Sequence, residues 1–198
     1  MSIRPESTII FICDMQNKFR PAIHGYDQVI PTVNKMLKIA KIVGCEVLVT
    51  TQNSRALGPT DPAIDLESLG SLHVGTADKT LFSMLTPEVK DVLLSRPHIK
   101  TVILMGIEAH ICILQTALGL LDPTGGHNLK VYVLADGVAS SHPTEMNIAL
   151  DRLRHEGAVV STSESAAFEL IGDAKVEGFK AFSKVIKESK LPAVGGKM

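Results

Sequence analysis

Three residues far apart in the chain have side chains suited to chemistry: a carboxylate at Asp14, an ammonium at Lys79 and a thiol at Cys112. Asp14 ends the apolar, β-branched run STIIFIC (7–13). A carboxylate at the edge of a core is costly unless it meets a cation, joins a hydrogen-bond network or moves a proton, so Asp14 marks a site or caps the following turn. Cys112 follows the run TVILMGIEAHI, where a helix is expected to begin. The positive end of a helix dipole and its free N–H groups favour thiolate, the reactive form of cysteine. A free cysteine serves equally as a small core residue. Lys79, in GTADKTLFSML, follows Asp78 and has an apolar stretch after it, although most lysines are simply solvated.

The elements around these residues alternate between strand and helix. STIIFIC has the continuous apolar character of a strand buried on both faces of a parallel sheet. Residues 29–43 place Val29, Val33, Met36, Leu37 and Ala40 at helical spacing, and Gly44 supplies the stop. CEVLVTTQ (45–52) reads as the second strand, and residues 53–78, with Gly58-Pro59, Asp61-Pro62 and Gly70, as a long irregular connection suited to a lid or pocket wall. Thr86 caps a helix that Pro87 opens and that runs through Leu94. TVILM (101–105) is a strand ending at Gly106, and a helix is predicted from about Cys112 to Leu121. LKVYVLADGVAS, a helix from Thr144 or Glu145 to His155, a strand over 157–161 and a helix from Ser163 to Ile171 complete the core.

This alternation predicts an α/β fold: a single-domain, three-layer α/β/α arrangement around a doubly wound, Rossmann-like parallel sheet of about six strands. The domain takes in residues 1–198, with a core over about 7–172 and a helical tail over about 173–198, its polar helix spanning Val176 to Lys187 and LPAVGGKM fraying. Ligands of such sheets bind outside the carboxyl ends of the strands. Asp14, Gln52, Asn53 and the turn from Glu108 to Cys112 all fall there. On strict strand alternation, Cys13 faces away from Asp14 and is core packing, as is Cys45.

Composition narrows the function classes. A net charge of -1 and 4% aromatic residues give no basic, aromatic-interleaved face for nucleic acid, so none is expected as a partner. No apolar run reaches the roughly 20 residues of a membrane helix, so no membrane association is expected. Three widely spaced cysteines without CxxC argue against a disulfide framework, pointing to a reduced, cytoplasmic protein. The histidines, among them His73, His98, His110, His127 and His142, show no HxH or HExxH spacing, and Gly125-Gly126 is a turn without a phosphate-loop pattern. Neither metal nor cofactor is expected.

CDMQNKF around Asp14, KTLFSML around Lys79 and GIEAHIC ending at Cys112 together resemble the three signature segments of the isochorismatase-like (cysteine hydrolase) superfamily. The resemblance runs from about residue 7 to about 171. TTQNSRALGPT and STSESAAFEL are similar in particular to stretches of the isochorismatase domain-containing proteins. It implies a hydrolase in which Asp14 accepts the Cys112 proton, Lys79 holds the pair in register and the thiolate attacks a carbonyl carbon of a small amide, carbamoyl or acyl-type substrate. It further implies an oxyanion hole from the backbone N–H groups of Glu108 and Cys112, a cis Ile107–Glu108 bond and a homo-oligomer.

Departures from the family pattern bear on substrate. Nicotinamidases resemble one another in a metal-binding Asp-x-His after the second strand, where this chain reads Thr51-Gln52-Asn53. Isochorismate-cleaving relatives tend to lack the cysteine, so Cys112 favours an acyl substrate over a vinyl ether cleaved by the Asp–Lys pair alone. Gln16, Phe19, Gln52, Asn53 and His110 are the candidates for lining the pocket. A catalytically silent, oligomeric interaction module is the alternative from another class, and the intact Asp14, Lys79 and Cys112 set speaks against it.

Overall fold

The computed structural model describes residues 3–125 and 129–188. Gly126 of the expected turn, His127 and the LPAVGGKM tail lie outside the described residues. Six strands form one parallel sheet: β1 (Thr8–Cys13), β2 (Glu46–Gln52), β3 (His73–Lys79), β4 (Thr101–Ile107), β5 (Lys130–Ala139) and β6 (Val159–Ser161). Their order is β3-β2-β1-β4-β5-β6. The chain therefore switches direction of travel between β1 and β4, and the crevice for a ligand opens at the carboxyl ends of those two strands.

The helices are α1 (Tyr26–Val43), the single turn α2 (Ser54–Leu57), α3 (Pro87–Leu94), α4 (Leu114–Leu121), α5 (Pro143–His155), α6 (Ser163–Ile171) and α7 (Phe179–Glu188). Alternate residues of β1 feed two cores. Ile10 and Ile12 pack with Val33 and Met36 of α1, Leu170 of α6 and Phe182 of α7. Ile9, Phe11 and Cys13 join Val89 of α3, Ala117 of α4 and Leu153 of α5 on the other face. A strand buried on both sides explains why STIIFIC is apolar without alternation.

Local signals set the helix ends as expected. Gly44 takes a left-handed conformation, φ 79°, after α1. The Thr86 hydroxyl accepts the Val89 N–H at 3.3 Å, capping α3, with Pro87 in its first turn. Three expectations are corrected. The connection over 53–78 is not irregular throughout: α2, a 3₁₀ stretch (Glu67–Leu72) and all but the last residue of β3 lie in it. Edge strand β3 is too polar to show in the hydrophobic pattern and is ordered by pairing with β2. The helix after β4 begins three residues before Cys112, as a π-helical turn over Ala109–Ile113 that leads into α4. The last described helix starts at Phe179, not Val176, and is no polar appendage, because Phe182 is fully buried with its ring 4.9 Å from that of Phe168.

Gly106 stands opposite Cys13 in the β1–β4 register. A Cβ there would lie 2.2 Å from the Cys13 carbonyl oxygen, and the glycine φ of +135° is one that other residues rarely adopt. Gly106→Ala is therefore expected to cost ~3 kcal/mol or more, from overpacking and backbone strain combined. Urea unfolding measures this, and an unchanged midpoint would contradict the close approach.

Candidate active site

Four adjacent strands deliver the site from their carboxyl ends. Gln52 and Lys79 are register partners at the ends of β2 and β3. Asp14 follows β1, its N–H bonded to the Thr50 carbonyl at 3.1 Å, and Cys112 stands in the π turn after β4. The three non-glycine residues with left-handed backbone in the described chain are Asp14 (φ 54°), Asn53 (φ 43°) and Glu108 (φ 58°), one after each of β1, β2 and β4. Such conformations persist where the surroundings over-determine them, and they cluster at functional sites.

The Lys79 ammonium donates to Asp14 Oδ2 at 2.7 Å, to Gln52 Oε1 at 2.5 Å and to the carbonyls of Leu81 and Phe82, each at 3.1 Å. Its Nζ is 4.0 Å from Cys112 Sγ. Thr50 donates to the other Asp14 oxygen at 2.8 Å. Asp14, Lys79 and Cys112 are 1%, 3% and 5% exposed, so the three charges or potential charges interact with little solvent screening. Burial pulls the Lys79 pKa down, but the sulfurs of Cys13 and Cys112 and the Asp14 carboxylate packed around the ammonium outweigh it, and the net direction is up. The ammonium is held charged.

Cys13 also belongs here, against the expectation from strand alternation. Its Sγ lies 3.5 Å from Asp14 Oδ2, and the donor atoms of Cys13, Asp14 and Cys112 all lie within 4.8 Å of one another. Alternation holds only along extended backbone, and the left-handed turn at Asp14 brings its carboxylate back to the Cys13 side of the sheet. Burial, a hydrogen bond to Cys112 and the Asp14 charge push the Cys13 thiol well up. These three residues could hold a metal ion, but the ammonium of Lys79 already occupies the cationic place beside Asp14 and Cys112.

The expected pocket residues divide by role. Gln16 is fully buried and clamps the loop after β2, accepting the Gln52 N–H at 2.7 Å and donating to the carbonyls of Gln52 (3.1 Å) and Gly58 (2.7 Å). It is structural. Gln52 positions Lys79. Phe19 packs against the α1-side core, and Asn53 is exposed, its backbone opening α2. His110 Nδ1 lies 3.2 Å from Ser140 Oγ and 3.4 Å from Glu108 Oε2, and Glu108 Oε2 accepts from the Ser141 N–H at 3.3 Å. These contacts fasten the turn after β4 to the loop after β5. The described residues have no cis peptide bond, so the Ile107–Glu108 bond is trans; the sharp turn is made by the positive φ of Glu108 instead. Two further residues were not foreseen. Thr50 orients Asp14, and Thr116 links its hydroxyl to the Cys112 carbonyl at 2.6 Å and to the Met84 N–H at 2.8 Å, tying the turn to the segment after Lys79.

Among the described residues no helix is long and apolar enough to cross a membrane. The chain is 41% identical over 186 residues to human isochorismatase domain-containing protein 2, covering 94% of this chain and 86% of that protein. It is 42% identical over 185 residues to the secreted isochorismatase effector Isc1 of Phytophthora sojae, covering 93% and 86%. Its fold is similar to that of the MAR1 ribonuclease of Caenorhabditis elegans, with a TM-score of 0.87, 32% identity and coverage of 100% and 98%. The isochorismatase domain matches residues 8–165, a span that contains Asp14, Lys79 and Cys112, and the chain belongs to that family of hydrolase-like α/β proteins.

Proposed function

We propose that the protein is a metal-independent hydrolase that uses Cys112 as nucleophile on a small amide, carbamoyl or acyl-type substrate. The observation that carries this reading is the meeting of a buried Asp14–Lys79 ion pair with the Cys112 sulfur, Nζ lying 2.7 Å from the carboxylate and 4.0 Å from the thiol. Asp14 takes the thiol proton, and Lys79 stabilises both carboxylate and thiolate in a site of low dielectric. The thiolate adds to the carbonyl carbon. The oxyanion is received by backbone N–H groups of the turn that starts at Glu108 and includes Cys112, where fixed dipoles need no reorganisation. Collapse expels the leaving group with the proton held by Asp14, and water activated by the same carboxylate hydrolyses the thioester.

This reading places the protein in a compartment that keeps thiols reduced. It also includes a homo-oligomer, since Leu81 and Phe82, 53% and 54% exposed, extend apolar surface directly from the Lys79 segment. The test is a panel of primary amides, carbamates and activated esters, with intact-mass detection of an acyl group on Cys112 during turnover. An acyl adduct on the 101–130 tryptic peptide is the expected result, and turnover with no adduct in either steady state or rapid quench would overturn it. Chelators are expected to leave the rate unchanged; one equivalent of metal retained after dialysis, with loss of rate on its removal, would contradict the role given to Lys79.

A second reading, RNA cleavage, is favoured by the name of the C. elegans relative. Against it stand the net charge of -1 and a site with a single carboxylate already neutralised by Lys79. Incubation with labelled RNA at several salt concentrations separates the two, because a phosphate-binding enzyme loses affinity steeply as salt rises.

A further inference from the structure

Cys13 has no part in the hydrolytic mechanism, yet its sulfur is directed into the site. It stands on the same face of the sheet as Cys112, in one apolar cluster, and its sulfur, that of Cys112 and an Asp14 oxygen lie within 4.8 Å of one another. A disulfide has sulfurs about 2.05 Å apart, so the pair needs to close by less than about 3 Å. Packing alone would ask only for a small apolar side chain at this position. The third cysteine is elsewhere: Cys45 precedes β2, at the opposite end of the sheet, with its sulfur 3.5 Å from the Pro5 carbonyl oxygen.

We infer that Cys13 and Cys112 form an oxidisable pair, in which a hydroperoxide oxidises Cys112 and Cys13 resolves the product into a reversible disulfide. In the first step the Cys112 thiolate attacks the terminal oxygen of the peroxide; the S–O bond forms, the O–O bond breaks, and the departing alkoxide or hydroxide takes the proton that Cys112 released. Cys112 is then a sulfenic acid. Asp14 Oδ2, 3.5 Å from Cys13 Sγ, accepts the Cys13 proton, and the Cys13 sulfur attacks the Cys112 sulfur. The S–S bond forms, the S–O bond breaks, and hydroxide leaves with the proton from Asp14 as water. Two thiols supply two electrons, and the peroxide becomes alcohol and water. A dithiol reductant reverses the step.

The order of events follows from the environments. Cys13 is fully buried and its thiol is held protonated, so it is not the first sulfur to be oxidised; Cys112 is the more exposed of the two and has Lys79 beside it. The disulfide blocks turnover while it stands. It also stops Cys112 short of the sulfinic acid, which thiols do not reverse.

The inference rests on Cys112 ionising, as in the proposed mechanism, but its readout is covalent and needs no substrate. Native protein is treated with hydrogen peroxide, denatured in N-ethylmaleimide and digested with trypsin, which separates the three cysteines into peptides 1–18, 42–55 and 101–130. The expected product is peptide 1–18 joined to 101–130, two hydrogens lighter than the sum and released by dithiothreitol, with 42–55 carrying maleimide. Cys13→Ala is expected to lose the linked peptide and to accumulate sulfinic acid on Cys112 that dithiothreitol does not remove. Wild-type protein with sulfinic Cys112 beside a maleimide-labelled Cys13 would overturn the proposal, as would a Cys112–Cys45 or intermolecular link. If iodoacetamide labels native Cys112 but peroxide gives no link, only this inference fails; if Cys112 resists both reagents, the nucleophile assignment fails with it.

Discussion

Cys112→Ala is expected to lower kcat/KM by at least ~10³-fold on whatever acyl substrate the wild type turns over, because the other thiol in the site, Cys13, is fully buried and held protonated and so does not replace it as nucleophile. Stability should hardly change. The thiol is small, its removal leaves a void worth about 1 kcal/mol, and the backbone bonds that shape the turn survive. The Thr116 hydroxyl still donates to the residue 112 carbonyl, and the Ile113 N–H still reaches the Glu108 carbonyl at 3.2 Å. Cys112→Ser should also be inactive, since an alcohol is far less acidic than a thiol in the same place. Full activity in the alanine variant would transfer the chemistry to Asp14 and Lys79 alone, the vinyl-ether alternative.

The largest stability effect is expected at Lys79. Lys79→Met leaves the Asp14 carboxylate buried with only Thr50 and Cys13 as donors, a loss of about 3–5 kcal/mol for breaking a buried pair from one side. Asp14→Asn should cost less, because the ammonium keeps Gln52 and the carbonyls of Leu81 and Phe82 as acceptors. The double variant is expected to be more stable than Lys79→Met alone, and urea unfolding of the three proteins measures the coupling. The pH dependence has a defined sign. The Lys79 pKa is raised in the folded protein, so its contribution is complete below the unfolded value of about 10.4 and disappears as pH climbs through the higher folded value. Wild type should therefore lose stability above about pH 10.4 more steeply than Lys79→Met; parallel curves would show that the charge contributes nothing.

Much of this site was legible because the residues that carry it are ones a core does not tolerate without cause. Asp14 at the end of an apolar strand, and a cysteine between a strand and a helix, are local anomalies in otherwise consistent patterns. Strands β1, β2, β4 and β5 and the Thr86 and Gly44 boundaries announce themselves by continuous apolar character, capping chemistry and left-handed glycine. What stayed hidden depends on tertiary pairing. The sequence HVGTADK is too polar to read as a strand, and only β2 makes it one, although it is the strand that carries Lys79 into the site. Strand alternation gives the wrong side for Asp14 relative to Cys13 because it ends at Cys13, one residue before the left-handed turn at Asp14. Gln16 and Gln52 look alike in the sequence; which of these two spatially adjacent glutamines clamps a loop and which holds a lysine is decided by partners 36 and 27 residues away. The π turn is a backbone choice with no signature in residue type, whereas the trans Ile107–Glu108 bond is what a pair without proline adopts by default, the cis expectation having come from the resemblance alone.

The central claim is that Asp14 and Lys79 activate Cys112, and the most direct test is the pH dependence of native-state alkylation by iodoacetamide in wild type, Asp14→Asn and Lys79→Ala, followed on peptide 101–130. Cys45 does not interfere, since burial pushes its thiol up to about 12, and Cys13 is likewise held protonated. Faster labelling of wild-type Cys112 at neutral pH than of a small free thiol under the same conditions, with that advantage lost in either variant, is the predicted result. Labelling that tracks a free thiol in all three proteins, or no labelling in any, would contradict it.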